Sequence, residues 1–519
     1  MNDKKTIERL FTGAAFTFFF MITCYKLTHA SLWFDETIEY WYSKIMFGPL
    51  PFDGENTAGT TNMYQRIITT YQPPLYNFIM FFWLKIHSSE WWFRFFGVVM
   101  GFLANLAIFK TLKKYASIYA AILSVFFSSC VYYLYFYWQE CAEYCLMLCS
   151  LSWTFYFFMN VIHDANKKNI IIFTISAIIP VYSQYGAAFP VLSFLLVTYI
   201  YIIIKKKHLL TITISYLIAF ITTVIPLISL FLLKQLSFQN GGEIHSSQMA
   251  FIRNNIFLDI YQSFITVVRW CFFENFGLRV TKLFVLVVLV SAVATCILSK
   301  KPYIKALLTV NILTWFTYYC AVKTGLYAYG LFGNRYNLFF IPTWIISFFL
   351  FGAELLQIIP AKQSDIRPLL NGVIICIVFC FMYTNWDLGI KNNWPKEDIR
   401  GAFNVWLKEE AQYSNTIVYY AADSGFMYYL KNCDLYNPEI EDNINYMSWN
   451  RYGTIEDYTE YVCSIYGDEW PNEVYLVGSH IVDDFSSVTS VFYENGYSCE
   501  ELFNSYNAYV YRMTYKGQP

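Results

Sequence analysis

Two adjacent carboxylates, Asp35 and Glu36, follow a long apolar run in a chain that otherwise keeps acids out of its apolar segments. A carboxylate so placed can act as a general base on a hydroxyl, or it can cap a helix or sit in a structural ion pair. Two adjoining carboxylates also make at least one of them hold its proton more tightly, which suits a base. About forty residues later comes Gln72-Pro73-Pro74-Leu75-Tyr76, where Gln72 and Tyr76 are candidate contacts and the prolines alone explain a helix start. Glu140, Glu143 and Tyr144 lie in a short polar turn between apolar runs, costly there unless they face a cavity. Arg335-Tyr336 and Arg94 stand at apolar boundaries, where an arginine either binds an anion or snorkels to headgroups. Lys323 is a further cation nearby.

These residues need a scaffold, and the composition says which. The 519 residues are 57% hydrophobic, 21% aromatic and 14% charged, against about a quarter charged in soluble domains. Apolar runs of spanning length recur along most of the chain, so it is a polytopic membrane protein. No small-residue cleavage site follows the first run, which we expect to be retained at 10–28. Basic clusters, counted as cytoplasmic, fit ten further spans near 92–110, 116–136, 141–160, 169–185, 187–204, 209–233, 281–299, 304–321, 336–356 and 368–386. The stretch 74–88 is too short to cross and begins with Pro-Pro, so it is expected as an interfacial or re-entrant helix. Eleven crossings result. Asp35 and Glu36 then lie outside, with the loop 29–91, the turn at Gln139–Tyr144 and the loops 234–280 and 321–335. Asn240-Gly241-Gly242 reads as a turn in a loop that could gate the site. Lys205–Lys207 is a topology signal and not a nucleic-acid patch.

Composition changes near residue 390. Residues 391–519 hold 8 Lys+Arg against 20 Asp+Glu, a balance of −12, while the rest balances at +11. This acidic stretch is long enough for its own core. Helical spacing over Lys396–Gln412, Ile455–Tyr466 and Ser486–Asn495 alternates with strand-like runs at Thr416–Ala422, Glu473–Gly478 and Ala508–Met513. We expect an all-α membrane domain at 1–390 and an extracytoplasmic α/β domain at 391–519, which supports the site or recognises the acceptor. Of thirteen cysteines, only Cys433, Cys463 and Cys499 fall in the acidic part, without metal-like spacing.

The ordered set of motifs resembles glycosyltransferase family 39 and the dolichyl-phosphate-mannose protein mannosyltransferase-like (PMT/ArnT-like) enzymes of the GT-C superfamily. The resemblance runs through Asp35-Glu36, Pro73-Pro74-Leu75-Tyr76, Glu90-Trp91-Trp92-Phe93-Arg94, Gln139-Glu140-Cys141-Ala142-Glu143-Tyr144, Ser183-Gln184-Tyr185, Arg335-Tyr336 before Pro342, and Pro395–Leu407. The chain departs from the family pattern with Gln72 and Gln184 in place of histidines and Ala142 in place of an arginine. The resemblance implies transfer of a sugar from a polyprenyl-phosphate donor in the membrane lipid to a glycan, lipid or protein acceptor, with inversion. It implies Asp35 as base with Glu36 as its partner. Arg335, Tyr336, Arg94, Glu140, Glu143, Tyr144, Gln72 and Tyr76 would line the donor and phosphate site. No cofactor is obligatory. The resemblance leaves room for a divalent metal, but two missing histidines give no ligand pattern for one.

Two other functions compete. A transporter or flippase of a lipid-linked glycan should show an internal repeat and ionisable positions at mid-membrane; no repeat is found, and the charges gather on the outer side. A polymerase or ligase of surface polysaccharide would lack this acidic first loop. Since Gly517-Gln518-Pro519 is no retention signal, we expect a bacterial plasma membrane.

Overall fold

A computed structural model describes residues 2–46, 67, 72–231, 256–272, 278–324, 326–327, 334–358, 366–391, 396–419, 422–446, 455–467, 469–479 and 486–517. Helices come first: α1 (Asn2–Cys24), α2 (Phe34–Lys44), α3 (Leu75–Ile86), α4 (Glu90–Tyr115), α5 (Ile118–Ser129), α6 (Tyr132–Gln139), α7 (Tyr144–His163) and α8 (Lys167–Ser183). They continue with α9 (Ala188–Lys205), α10 (Leu209–Ala219), α11 (Ile225–Leu230), α12 (Ile256–Phe272), α13 (Leu278–Leu298), α14 (Pro302–Lys323), α15 (Phe340–Ile358) and α16 (Ile366–Asn385). Over the described residues each expected span contains α-helix. Among the described residues seven helices are long and apolar enough to cross a membrane, or eight if α5 and α6 form one broken span. The expected span at 116–136 bends by 67° between those two helices. Ser128 and Ser129 sit at the break and turn their hydroxyls back on the Val125 carbonyl, at 3.1 and 2.6 Å, which competes with helix continuation. The stretch expected as an interfacial helix is the 12-residue α3.

The chain divides into two compact units. The first holds Met1–Tyr25, Ile67–Tyr76 and Arg94–Asn393. Within it, α4 meets α6 where glycine allows it: a Cβ on Gly97 would lie 2.5 Å from the Trp138 carbonyl oxygen, and one on Gly101 would lie 2.7 Å from the Trp138 ring. Trp138 is buried in this packing. The loop 234–280 contains the helix α12, which the sequence reading did not anticipate. The turn read at Asn240-Gly241-Gly242 lies outside the described residues.

The second unit holds Lys26–Arg66, Asn77–Phe93 and Trp394–Pro519. The polar module thus shares a unit with much of the long first loop, which the sequence reading had assigned to the membrane domain. Its remaining elements are α17 (Ile399–Lys408), β1 (Asn415–Val418), α18 (Asp423–Lys431), α19 (Pro438–Glu441), β2 (Ile444–Tyr446), α20 (Ile455–Tyr466), β3 (Glu473–Ser479), α21 (Ser486–Glu494), β4 (Tyr497–Ser505) and β5 (Ala508–Tyr515). The sheet order is β2-β1-β3-β5-β4. The first three strands are parallel, and the last two pairings are antiparallel. β1 and β3 are buried on both faces, as their unbroken apolar runs require. On one face Val418, Tyr475 and Val477 pack with Phe403 and Trp406 of α17 and Phe426 of α18. On the other, Ile417, Val474 and Leu476 pack with Val462 of α20 and Phe492 of α21. The edge strand β4 escaped the sequence reading because a bulge between Glu501 and Phe503 breaks its alternation.

Candidate functional site

Asp35 and Glu36 occupy the first turn of α2, where the helix dipole favours negative charge. The two then part. Glu36 is fully buried. Its Oε2 accepts from the Trp33 N–H at 3.4 Å and pairs with Lys396 Nζ at 2.9 Å. Glu36 thus serves both as a cap of the helix start and in a buried ion pair. Asp35 is only partly buried.

The helix is held by the polar module. Chain order places a switch point at the carboxyl ends of β1 and β3, because connections leave β1 towards β2 on one side and arrive at β3 on the other. Open α/β sheets bind their ligands at such ends, and here the bonds go to α2. Ser424, at the start of α18, shares a hydrogen bond of 2.7 Å with Thr37 and accepts from Trp41 Nε1 at 2.9 Å. Glu397 accepts from the Phe34 N–H at 3.1 Å, from Ser479 at the end of β3 at 3.4 Å, and through its carbonyl from Ser31. Tyr429 accepts from the Leu32 N–H at 2.8 Å, and Tyr40 packs edge-on against Tyr428. Arg400 donates to the Thr28 and His29 carbonyls at 3.0 and 2.7 Å and pairs with Glu90 at 3.2 Å. Glu90 is presented by a turn that Trp83 and Trp92 clamp. Their rings stack at 4.3 Å, and each indole donates to the other's backbone carbonyl. Lys396, Glu397 and Arg400 come from one quoted motif, so a signal for them existed in the sequence, but not for their partners.

One residue that sequence reading missed is Glu39, a turn beyond Asp35. Its Oε2 accepts from Asn77 Nδ2 at 2.6 Å. Burial, with the Asp35 charge adding to it, pushes its carboxyl up to about 7, while the Asn77 hydrogen bond acts the other way.

In the first unit three separately read motifs converge. Glu143, Arg335, Tyr336 and Tyr137 all act electrostatically on the Tyr144 phenol, and the Tyr137 and Tyr144 rings meet edge-on at 5.0 Å. The Arg335 guanidinium lies 5.5 Å from the centre of the Tyr336 ring. Tyr327 donates to the Tyr336 carbonyl at 3.1 Å and receives Gln184 Nε2 at 3.5 Å. Burial pushes the Tyr327 phenol up, so it stays a donor. Gln184 caps the turn Tyr185–Ala187 by accepting from the Gly186 N–H at 2.6 Å. Glu140 and Glu143 are both buried.

Residues 71–232 match the family model described as dolichyl-phosphate-mannose-protein mannosyltransferase. The fold is similar to that of ArnT from Cupriavidus metallidurans bound to undecaprenyl phosphate. That likeness has a TM-score of 0.57 and 12% identity and covers 97% of each chain. The apo state of the same protein matches at 0.54 and 12%, covering 99% of this chain and 98% of that one. No curated protein sequence matches the chain. The chain thus shares the fold of that ArnT protein, and over about a third of its length it is similar to that mannosyltransferase family.

The rest of the expected site is distributed as follows. Arg94 is 2% exposed, so it does not snorkel to headgroups. Tyr76 is buried edge-on against Phe96, with ring centres 6.0 Å apart. Gln72 is partly buried, just before that helix. Lys323 pairs with Asp259 of α12 at 2.6 Å, and Tyr319 donates to the same carboxylate at 2.6 Å. The Lys323 charge is thereby matched within the fold. Asp259 could not be read as its partner, because α12 itself was not anticipated. Among the described residues no three His, Cys, Asp or Glu side chains gather as metal ligands do.

Proposed function

We propose that the chain transfers a sugar from a polyprenyl-phosphate donor to an acceptor on the extracytoplasmic face, with inversion, and that Asp35 is the general base. The observation that carries this reading is the division of labour on α2. Glu36 is buried against Lys396 and the helix start, and Asp35 is the partly exposed carboxylate of the pair, on a helix that the module from residue 394 holds at several points. The fold likeness to a protein solved with undecaprenyl phosphate supports the donor class.

In the proposed step the acceptor O–H bond breaks and its proton goes to Asp35. The acceptor oxygen bonds to the anomeric carbon, and the bond from that carbon to the phosphate oxygen breaks with its electron pair leaving on the phosphate. A sugar phosphate is already a good leaving group, so the residues needed are a base and a cation that steadies the phosphate. We assign the cation to Arg335, which lies beside the Tyr336 ring and acts electrostatically on the Tyr144 turn. Gln72, Tyr76, Arg94, Glu140, Glu143 and Tyr144 are proposed as donor-site lining. The outer loops and the module from residue 394 belong on the extracytoplasmic side of a bacterial plasma membrane.

Mass analysis of envelope glycans, lipids and glycoproteins from a strain lacking this chain tests the reading. We expect one species to lose a sugar. Wild-type chain should restore it, and Asp35→Asn, present in the membrane at equal level, should reduce the product by about a hundredfold or more. Full restoration by Asp35→Asn removes Asp35 as base. An unchanged envelope in the deletion strain removes the transferase reading.

A further inference from the structure

The turn that carries Arg335 and Tyr336 is anchored by Tyr327, a residue outside every motif quoted above. Tyr327 follows α14 and donates its hydroxyl proton to the Tyr336 carbonyl at 3.1 Å. Its ring also meets the Tyr336 ring edge-on, with centres 6.3 Å apart. The Tyr336 ring in turn lies 5.5 Å from the Arg335 guanidinium. Tyr327 thus holds, by backbone and by ring, the residue against which the arginine rests. The next carbonyl, that of Asn337, accepts from the Cys271 thiol of α12 at 3.7 Å, and a thiol is a weak donor. The phenol is the stronger of these two anchors.

The phenol proton is aimed by a fixed sequence of bonds. The Gly186 N–H donates to Gln184 Oε1 at 2.6 Å, which occupies the acceptor end of that amide. The donor end, Nε2, then faces the Tyr327 oxygen at 3.5 Å. A hydroxyl that receives on one side keeps its proton for the other, where the Tyr336 carbonyl stands. Gly186 makes room for this arrangement: a Cβ there would run into the Tyr327 hydroxyl and lie 2.7 Å from Gln184 Oε1. Packing alone asks only for a ring at 327. That ring stands 5.0 Å from Phe189 and 6.3 Å from Phe339, centre to centre, contacts that a phenylalanine would keep. The hydroxyl, and the glycine that admits it, serve the turn.

We propose that Tyr327 is a positioning residue that holds Arg335 ready for the phosphate of the donor, with Gln184 orienting its hydroxyl. This rests on the assignment of Arg335 given above. A turn that must be ordered when the anion arrives loses affinity to that ordering, whereas a turn fixed beforehand does not. Tyr327 touches no substrate in this arrangement and makes or breaks no covalent bond.

The test uses the full-length chain in detergent and two probes, undecaprenyl phosphate and undecaprenol, which share a tail and differ in the phosphate. Binding of each is read by native mass spectrometry, and the ratio of the two affinities isolates the phosphate contact. Wild type should favour the phosphate, and Arg335→Ala should lose most of that preference. Tyr327→Phe should reduce it about five- to tenfold while binding undecaprenol as wild type does. A hydroxyl that only supports the fold would, when removed, weaken both lipids alike or neither, and either result overturns this proposal alone. Hydrogen exchange of wild type decides the matter even if Tyr327→Phe fails to fold. Undecaprenyl phosphate should slow exchange over 184–188 as well as over 334–338, beyond what undecaprenol does. No such phosphate effect over 184–188 overturns the proposal. A wild-type preference in Arg335→Ala removes Arg335 as the cation, and a wild-type chain that does not distinguish the two lipids removes the donor reading itself.

Discussion

Among the described residues of the second unit, Glu36 and Lys396 form the most deeply buried ion pair, with side chains 0% and 9% exposed. Removing one partner from a buried pair leaves the other charge without compensation, at about 3–5 kcal/mol, whereas removing both together is far cheaper. Lys396→Met should therefore destabilise the unit by about 3 kcal/mol or more, and Glu36→Gln with Lys396→Met by clearly less than the sum of the two singles. Thermal melting of the four chains in detergent gives the coupling. Additive losses would mean the pair does not hold α2. The single variants should also lower product formation beyond their loss of folded chain, because Asp35, the proposed base, rides on the same helical turn. Both residues were visible in the sequence as members of motifs. Their pairing was not, since 360 positions separate them and only folding brings one to the other.

At the scale of elements, the helices were legible because apolar runs of spanning length and 3.6-residue spacing are local properties. The buried strands β1 and β3 were legible for the same reason. What local pattern could not give is close approach. Gly97 and Gly101 of α4 looked like any glycines in an apolar helix, yet they are what lets α6 come so near. An added methyl at Gly97 meets a backbone carbonyl at 2.5 Å, an atom that cannot swing aside as a side chain would. Gly97→Ala should thus cost about 1–3 kcal/mol by overpacking. Gly13→Ala and Gly352→Ala meet nothing within 4 Å and should be neutral or stabilise by up to about 1 kcal/mol, the ordinary effect of alanine in a helix. Melting temperatures in one detergent check the contrast. Equal shifts at all three glycines would mean that α4 and α6 have room to move apart.

For the molecule as a whole, the boundary of greatest consequence is the one that chain order hides. Hydropathy and charge balance divide the sequence near residue 390, and the module beyond it does form its own sheet and two cores. Contacts, however, group that module with Lys26–Arg66 and Asn77–Phe93, because the polar bonds of α2 lead to Lys396, Glu397, Ser424 and the Tyr428–Tyr429 pair. The first loop is thus an insertion whose partners are made hundreds of residues later. Polar partners chosen at that distance leave no periodic trace in either segment. A chain ended after Asn393 should then keep its apolar helices and still insert, while α2 loses the groups that hold it. Trypsin should cut the shortened chain rapidly at Lys26 and Lys44, where the full-length chain is protected, and the shortened chain should restore no product in the deletion strain. The full-length Lys396→Met chain should fall between the two in its rate of cutting, since it removes one of several attachments. If the shortened chain resists trypsin at both lysines as well as the full one does, the module is not what fixes the helix bearing Asp35, and its role must be sought at the acceptor instead.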